Sequence, residues 1–317
     1  MAPITVGIAG FTGRVAGLLT SSLLEQDPNV QIKGLARTPE NVPQSISSKS
    51  NVQVVQGGAF DTDKIRSFIR GCDVVVCCYS HDDHIMVDGQ KLLIDLAEEE
   101  GIPRYVASDW CLDYTKLEMG ELFAKEASQR IKAYLDTRKS IKGVHVLIGG
   151  FTEVIFAAFF RIWDSQTCTF RYWGTGGETW ECTTYRNSAQ YTAAVCLDPN
   201  AAGVFRFVGD VINTKAIAAA LEKAYGVKPK LERQGSVEEL RSTMIAEKEK
   251  HGDNYWNYVF HWYHYFTLSG KALMGPKYDN DKYPQVKPVK VEGFLKCVPL
   301  EQLNGVYMDM GDKSKKN

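Results

Sequence analysis

The chain has 317 residues, 44% apolar and 24% charged, with a formal net charge of -1. That is the balance of a globular protein of one large or two modest domains, with no charge excess to recruit nucleic acid or an acidic membrane. There is no basic segment followed by a long apolar run at the start, and no stretch of about twenty apolar residues. The expectation is therefore a cytoplasmic protein without a membrane span, monomeric or homodimeric.

In chain order, Ile4 to Ala9 reads as a strand, Arg14 to Gln26 as a helix and Gln31 to Ala36 as a second strand. A third strand at Val52 to Gln56 precedes a helix from Thr62 to Arg70. Asp73 to Cys78 is an apolar run of the kind buried on both faces, and a helix from Val87 to Glu100 ends at Gly101. Arg104 to Ala107, a helix over Leu117 to Asp136, and Val144 to Ile148 complete the alternation. Beyond it the rhythm changes. Short strands at Phe170 to Trp173 and Glu178 to Thr184 are followed by a helix over Ser188 to Cys196 and a strand over Val204 to Val208. Helices over Thr214 to Tyr225, closed by Gly226, and Val237 to Lys250 come next.

The fold class that follows is α/β: a Rossmann-type, doubly wound parallel sheet with a smaller α+β C-terminal substrate domain. The expected bounds are 1–155 for the first domain, with residues 185–215 returning to it, and 156–310 for the second. The charged tail 311–317 is expected to be disordered.

Gly10-Phe11-Thr12-Gly13-Arg14 joins the first strand to the first helix. Gly7, Gly10 and Gly13 form one glycine register, but Gly7 falls inside the strand, so the turn is read as Gly10, Gly13 and Ala16. Free N–H groups and the helix dipole at such a turn favour a pyrophosphate. Arg37 closes the second strand, where an acid would bond the ribose hydroxyls and an arginine favours a 2′-phosphate. NADP(H) is therefore expected over NAD, with Arg14 and Thr38 as further contacts.

Several segments in order, Gly10-Phe11-Thr12-Gly13, Leu35-Ala36-Arg37, Gly71-Cys72-Asp73-Val74-Val75, Arg104 to Trp110, Gly149-Gly150-Phe151 and Tyr191 to Val195 with Asp198-Pro199, resemble the NmrA-like / isoflavone-reductase-like branch of the atypical short-chain dehydrogenases. The resemblance implies an NADP(H)-binding Rossmann domain and a C-terminal domain capping a cleft, in a family of reductases of aromatic metabolites and NADP-sensing regulators. It also implies a catalytic lysine at the position held here by Ser128. Lys125 lies one turn earlier, and Gly58 stands where the family often has an acid.

Ligands bind beyond the carboxyl ends of parallel strands. There the sequence offers Tyr79, Ser80, His81, Asp82, Asp83 and His84, then Ser108, Asp109 and Trp110, with Lys125 and Glu153 nearby. Lys125, His81, Asp83 and Glu153 are the candidate acid–base groups, and Tyr79, Ser80 and Ser108 join the cofactor contacts. An N-cap role for Asp82 or Asp83 is the structural alternative. Residues 254–266 hold eight Phe, Trp or Tyr in thirteen positions. Read as a helix, Tyr258, Trp262 and Tyr265 share one face and His261 and His264 another. They form either a packing or dimer helix or a wall for a flat substrate, reinforced by Phe151, Trp110, Trp173 and Trp180. The eight cysteines form no C-x-x-C, and His81, Asp82, Asp83 and His84 lack zinc-ligand spacing, so no metal is expected.

The reading is thus an NADPH-dependent reductase of a bulky, aromatic secondary metabolite bearing a carbonyl, imine or enone. One alternative is an NADP-binding catalyst of a condensation or cyclisation, such as amine plus aldehyde. The other is an NADP-sensing regulator.

Overall fold

The computed structural model describes residues 3–80 and 83–305. Six strands alternate with helices in the first half: β1 (Thr5–Ala9), β2 (Gln31–Ala36), β3 (Val52–Gln56), β4 (Val74–Cys77), β5 (Arg104–Val106) and β6 (Lys142–Leu147). The chain then makes β7 (Gly150–Phe151), β8 (Trp163–Asp164), β9 (Thr169–Trp173) and β10 (Thr179–Thr183). After these, β11 (Gly203–Arg206) pairs with β6, and β12 (Asp210–Asn213) and β13 (Lys230–Gly235) follow. The large sheet has the order β3-β2-β1-β4-β5-β6-β11, and every pair in it is parallel. The reversal of strand order between β1 and β4 is where such sheets open a crevice.

The helices are α1 (Arg14–Gln26), α2 (Gln44–Ser47), α3 (Thr62–Ile69), α4 (Gln90–Glu99), α5 (Glu126–Asp136) and α6 (Thr152–Ile155). They continue as α7 (Tyr185–Leu197), α8 (Thr214–Tyr225), α9 (Val237–His251), α10 (Val259–Leu268) and α11 (Val291–Leu295). Strand side chains alternate between the two layers. Val74 and Val76 pack with Leu19 of α1 and Ala193 of α7, whereas Val75 and Cys77 pack with Phe68 of α3 and Leu93 of α4. Both faces of β4 are thereby buried, which is why its sequence is an unbroken apolar run.

Two three-stranded sheets, β12-β10-β7 and β13-β9-β8, build the second half with α8 to α11. Their core includes Phe156, Trp163, Phe170, Trp180, Leu240 and Phe260. A further cluster joins the halves: Leu112, Leu117 and Leu122 meet Tyr258, Trp262 and Phe266.

Three elements differ from the expectation. The helix expected over Leu117 to Asp136 is confined to α5, after single 3-10 turns at Tyr114–Lys116 and Phe123–Lys125. Gly120 at φ +88° cannot continue an α-helix, and burial of Leu117 and Leu122 under α10 sets the path instead. The helix expected from Val87 begins as a wider π-turn segment, His84–Gly89, that hands over to α4. The aromatic run is likewise split, into a 3-10 turn at Tyr255–Asn257 and α10, which extends to Leu268. The tail 311–317 lies outside the described residues.

Candidate active site

Gly10 takes φ +77°, and a Cβ there would stand 2.8 Å from the Cys78 carbonyl oxygen, so neither conformation nor space admits a side chain. The Gly10 and Phe11 N–H groups both donate to the Leu35 carbonyl, at 3.1 and 3.0 Å, which pins the turn to the end of β2. The Phe11 ring lies over Gly34, where a Cβ would come within 2.4 Å of it. Phe11 therefore presents only its backbone to the crevice; its ring, 3% exposed, belongs to the core.

α1 starts at N-cap Gly13, which has no side chain to accept from the first turn, and that turn holds no acid. A helix start leaves several N–H donors without intrahelical acceptors. An exposed Thr12 and Gly13 beside those donors make a cradle for a phosphate anion. The residues present thus fit the diphosphate of a dinucleotide. Arg37 and Thr38, both exposed, follow β2 at the same end of the sheet. The Arg14 guanidinium instead lies over the Tyr185 ring, 5.1 Å from its centroid.

At the ends of β4 and β5 the Ser108 hydroxyl donates to the Tyr79 carbonyl at 2.7 Å, and the Ser108 N–H donates to Gln90 Oε1 at 3.2 Å. The Tyr79 ring is 8% exposed and floors the Gly10 turn, and burial pushes its hydroxyl pKa above the ordinary tyrosine value. Ser80 is exposed beside it.

The next turn gathers the chemistry. Trp110 has φ +35°, a costly conformation for a bulky residue, on the order of 1–3 kcal/mol. The indole compensates: it is 7% exposed in the core, and its Nε1 donates to Thr192 Oγ1 at 2.9 Å. Trp110 is thus a packing residue beneath α7 and not part of a cleft wall. Its neighbours Asp109 and Cys111 both lie close to Lys125. Asp109 is 6% exposed, with Oδ2 2.7 Å from His145 Nδ1, and the Tyr114 hydroxyl stands 3.1 Å from the same nitrogen. Its Oδ1 is buried without a hydrogen-bond partner in the protein.

Lys125 is the N-cap of α5, not a residue within a longer helix. Lys125 is partly buried. Nζ stands 5.7 Å from the Tyr263 ring centroid and near Cys111. Burial alone would drive Lys125 towards the neutral amine. Its pKa nevertheless lies above the ordinary lysine value; the protonated Cys111 supplies no counter-charge at neutral pH, which leaves that part to the Asp109 carboxylate. The Cys111 thiol is pushed up to about 12 by burial, so it is protonated at neutral pH. Ser128, at the position of the family lysine, is 5% exposed.

Other candidates are placed elsewhere. Asp83 is exposed and pairs with Arg130 at 3.6 Å; His81 and Asp82 lie outside the described residues. Glu153 is 2% exposed, and both its oxygens accept the Tyr185 N–H at 3.1 Å, closing the start of α7. Burial pushes its pKa up to about 7, with Arg14 opposing. Phe151 stacks on Tyr185 at 3.6 Å. Tyr258 and Trp262 are spent on the seam against Phe123, at 5.8 and 4.8 Å. Tyr265 packs partly buried there, and Trp173 sits edge-on to His261 at 6.4 Å in the C-terminal core.

The sequence reading did not single out Cys111, Tyr114, His145, Tyr255 or Tyr263 for the site. A histidine inside the apolar run Val144 to Leu147 was the one available signal, because a buried polar group needs a partner.

Comparison with known proteins agrees with this geometry. Residues 10–143 match the family model for NAD(P)H-binding domains. No curated protein sequence matches the chain. A crystal structure of isoflavone reductase superposes with TM-score 0.76 at 16% identity, covering 93% of this chain and 99% of that one. Leucoanthocyanidin reductase from Vitis vinifera, solved with NADPH, gives 0.72 at 15% identity, covering 92% and 98%. A nucleoside-diphosphate-sugar epimerase from Staphylococcus aureus gives 0.71 at 17% identity, covering 92% and 100%. The resemblance read from the sequence is thereby supported: residues 10–143 match the NAD(P)H-binding model, and the chain has the fold of isoflavone reductase.

Proposed function

We propose that the protein is an NADPH-dependent reductase of a bulky aromatic metabolite carrying a carbonyl, imine or enone. The observation that carries this is the partly buried Lys125, near Asp109, Tyr255 and Tyr263 beyond the carboxyl end of β5, the end of the sheet at which the Gly10 turn follows β1. Gly10, Thr12, Gly13 and the start of α1 would hold the diphosphate, and Arg37 with Thr38 the 2′-phosphate. NADPH bound there would supply the hydride.

What the chain adds is charge. A lysine held above its ordinary pKa is a weak general acid but a permanent cation, so its main effect is to stabilise negative charge developing on a substrate oxygen or nitrogen. The proton held at Nζ then neutralises that atom, or solvent does. Asp109 favours the charged ammonium, and His145, itself met by the Tyr114 hydroxyl, holds Asp109. Tyr255 and Tyr263 offer ring faces to a flat substrate and exclude water.

The test is NADPH oxidation followed at 340 nm against a panel of aryl aldehydes, ketones, cyclic imines and enones. Turnover is expected, with Lys125→Met lowering kcat by about 100-fold or more and leaving NADPH affinity unchanged. Tight NADP binding with no turnover across the panel would overturn the reading.

A further inference from the structure

We propose that Glu153 is a proton-binding site coupled through Arg14 to the cofactor site, so that NADP(H) is taken up together with a proton. The inference rests on the Gly10 turn holding the cofactor's diphosphate, and not on the reduction proposed above.

Arg14 is the first residue of α1, directly after Thr12 and Gly13, and is partly buried. Its guanidinium lies over the Tyr185 ring, 5.1 Å from the centroid. That ring is fixed, because Phe151 stacks on it at 3.6 Å with the planes 10° apart. Tyr185 opens α7, and its N–H donates to both Glu153 oxygens at 3.1 Å. One residue thus joins the cation beside the diphosphate cradle to a carboxyl that is 2% exposed.

Arg14 is the charge that acts on Glu153 across this bridge, and it favours the carboxylate. The other titratable groups there are neutral or turned away. Cys182 of β10 is held protonated by burial, which pushes its thiol up to about 12. The neighbouring Glu181 faces the opposite side of the strand, where it accepts from the Gly275 N–H and the Tyr278 hydroxyl, both at 2.7 Å. Burial outweighs the Tyr185 N–H and Arg14, so Glu153 titrates at about 7. A diphosphate at the start of α1 brings negative charge next to Arg14 and offsets the cation that favours the Glu153 carboxylate. Salt screens a buried carboxyl poorly, so the protonated form gains when the cofactor binds.

The coupling is reciprocal: if NADP(H) favours the proton, the proton favours NADP(H). Affinity is then greatest below the pKa of the free protein, about 7, and falls as pH rises through it towards that of the bound state. A rise of about one pKa unit on binding takes up about half a proton at pH 7.5 and raises the Kd about fivefold between pH 7 and pH 9. The 2′-phosphate, with a second pKa of about 6, is already ionised in this range.

The experiment is calorimetric titration of the full chain with NADP+ at pH 7.5 in PIPES, HEPES and Tris, whose different ionisation heats report the protons taken up, with the Kd then followed from pH 7 to 9. Uptake of about half a proton and the fivefold rise in Kd are expected in the parent. Glu153→Gln should bind NADP+ with no uptake and a flat profile. Arg14→Gln leaves Glu153 largely protonated before binding and should cut the uptake by at least half. Binding without uptake in the parent, uptake that persists in Glu153→Gln, or full uptake in Arg14→Gln would each overturn the proposal. No binding of NADP+ at any pH would instead remove the cofactor assignment, and this inference with it.

Discussion

Glu153 gives a quantitative handle on the crevice. Its carboxyl is buried, and its pKa rises from 4.5 to about 7, chiefly through desolvation. A raised acid pKa means that the folded state binds the proton more tightly than the unfolded state. Stability is therefore greatest at acid pH and falls as pH rises from 4.5 towards 7. At about 1.4 kcal/mol per tenfold change, the loss is roughly 3 kcal/mol once both states are ionised. Glu153→Gln removes the titration but keeps an acceptor for the Tyr185 N–H. The variant should match the parent near pH 4.5 and exceed it by roughly 2–3 kcal/mol at pH 8, the opposing backbone hydrogen bonds and Arg14 being already contained in the net shift. Urea unfolding at the two pH values measures this directly. A variant less stable than the parent at pH 8 would refute this, and would mean that the backbone hydrogen bonds and Arg14 together outweigh desolvation.

Other predictions concern the turn and the thiols. Gly10→Ala meets a positive φ and the Cys78 carbonyl at once; it should cost at least about 2 kcal/mol in thermal or urea unfolding and weaken NADPH at least tenfold by fluorescence titration. Arg37→Ser should raise the Kd for NADPH by about tenfold to a hundredfold while barely changing that for NADH, which isothermal titration would show. Cys111, with its pKa pushed up by burial to about 12, should resist iodoacetamide at pH 7.5 while the exposed Cys297 reacts, as read by mass spectrometry.

The first half of the fold is legible because its signals are local. The apolar run Asp73 to Cys78, the alternation with helices and the glycines after the first strand each constrain a few residues through sterics and burial. The helix Thr214–Tyr225 with Gly226 at φ +70° is read correctly for the same reason. The break at Gly120 was visible as a glycine, but its effect depended on what Leu117 and Leu122 pack against. The aromatic run shows the same limit. Its composition announces burial, but which rings fill the seam and which reach Lys125 depends on the placement of α10.

The sequence by itself determined the doubly wound sheet and the glycine turn, because each follows from the conformations and periodicity of neighbouring residues. Only the tertiary structure decided that Lys125 would lie with Asp109, Cys111, Tyr255 and Tyr263, that Glu153 would close α7, and that Trp110 would turn inward. Those outcomes rest on contacts between residues far apart in the chain, where desolvation and packing decide which side chains face the crevice, and no local pattern carries that information.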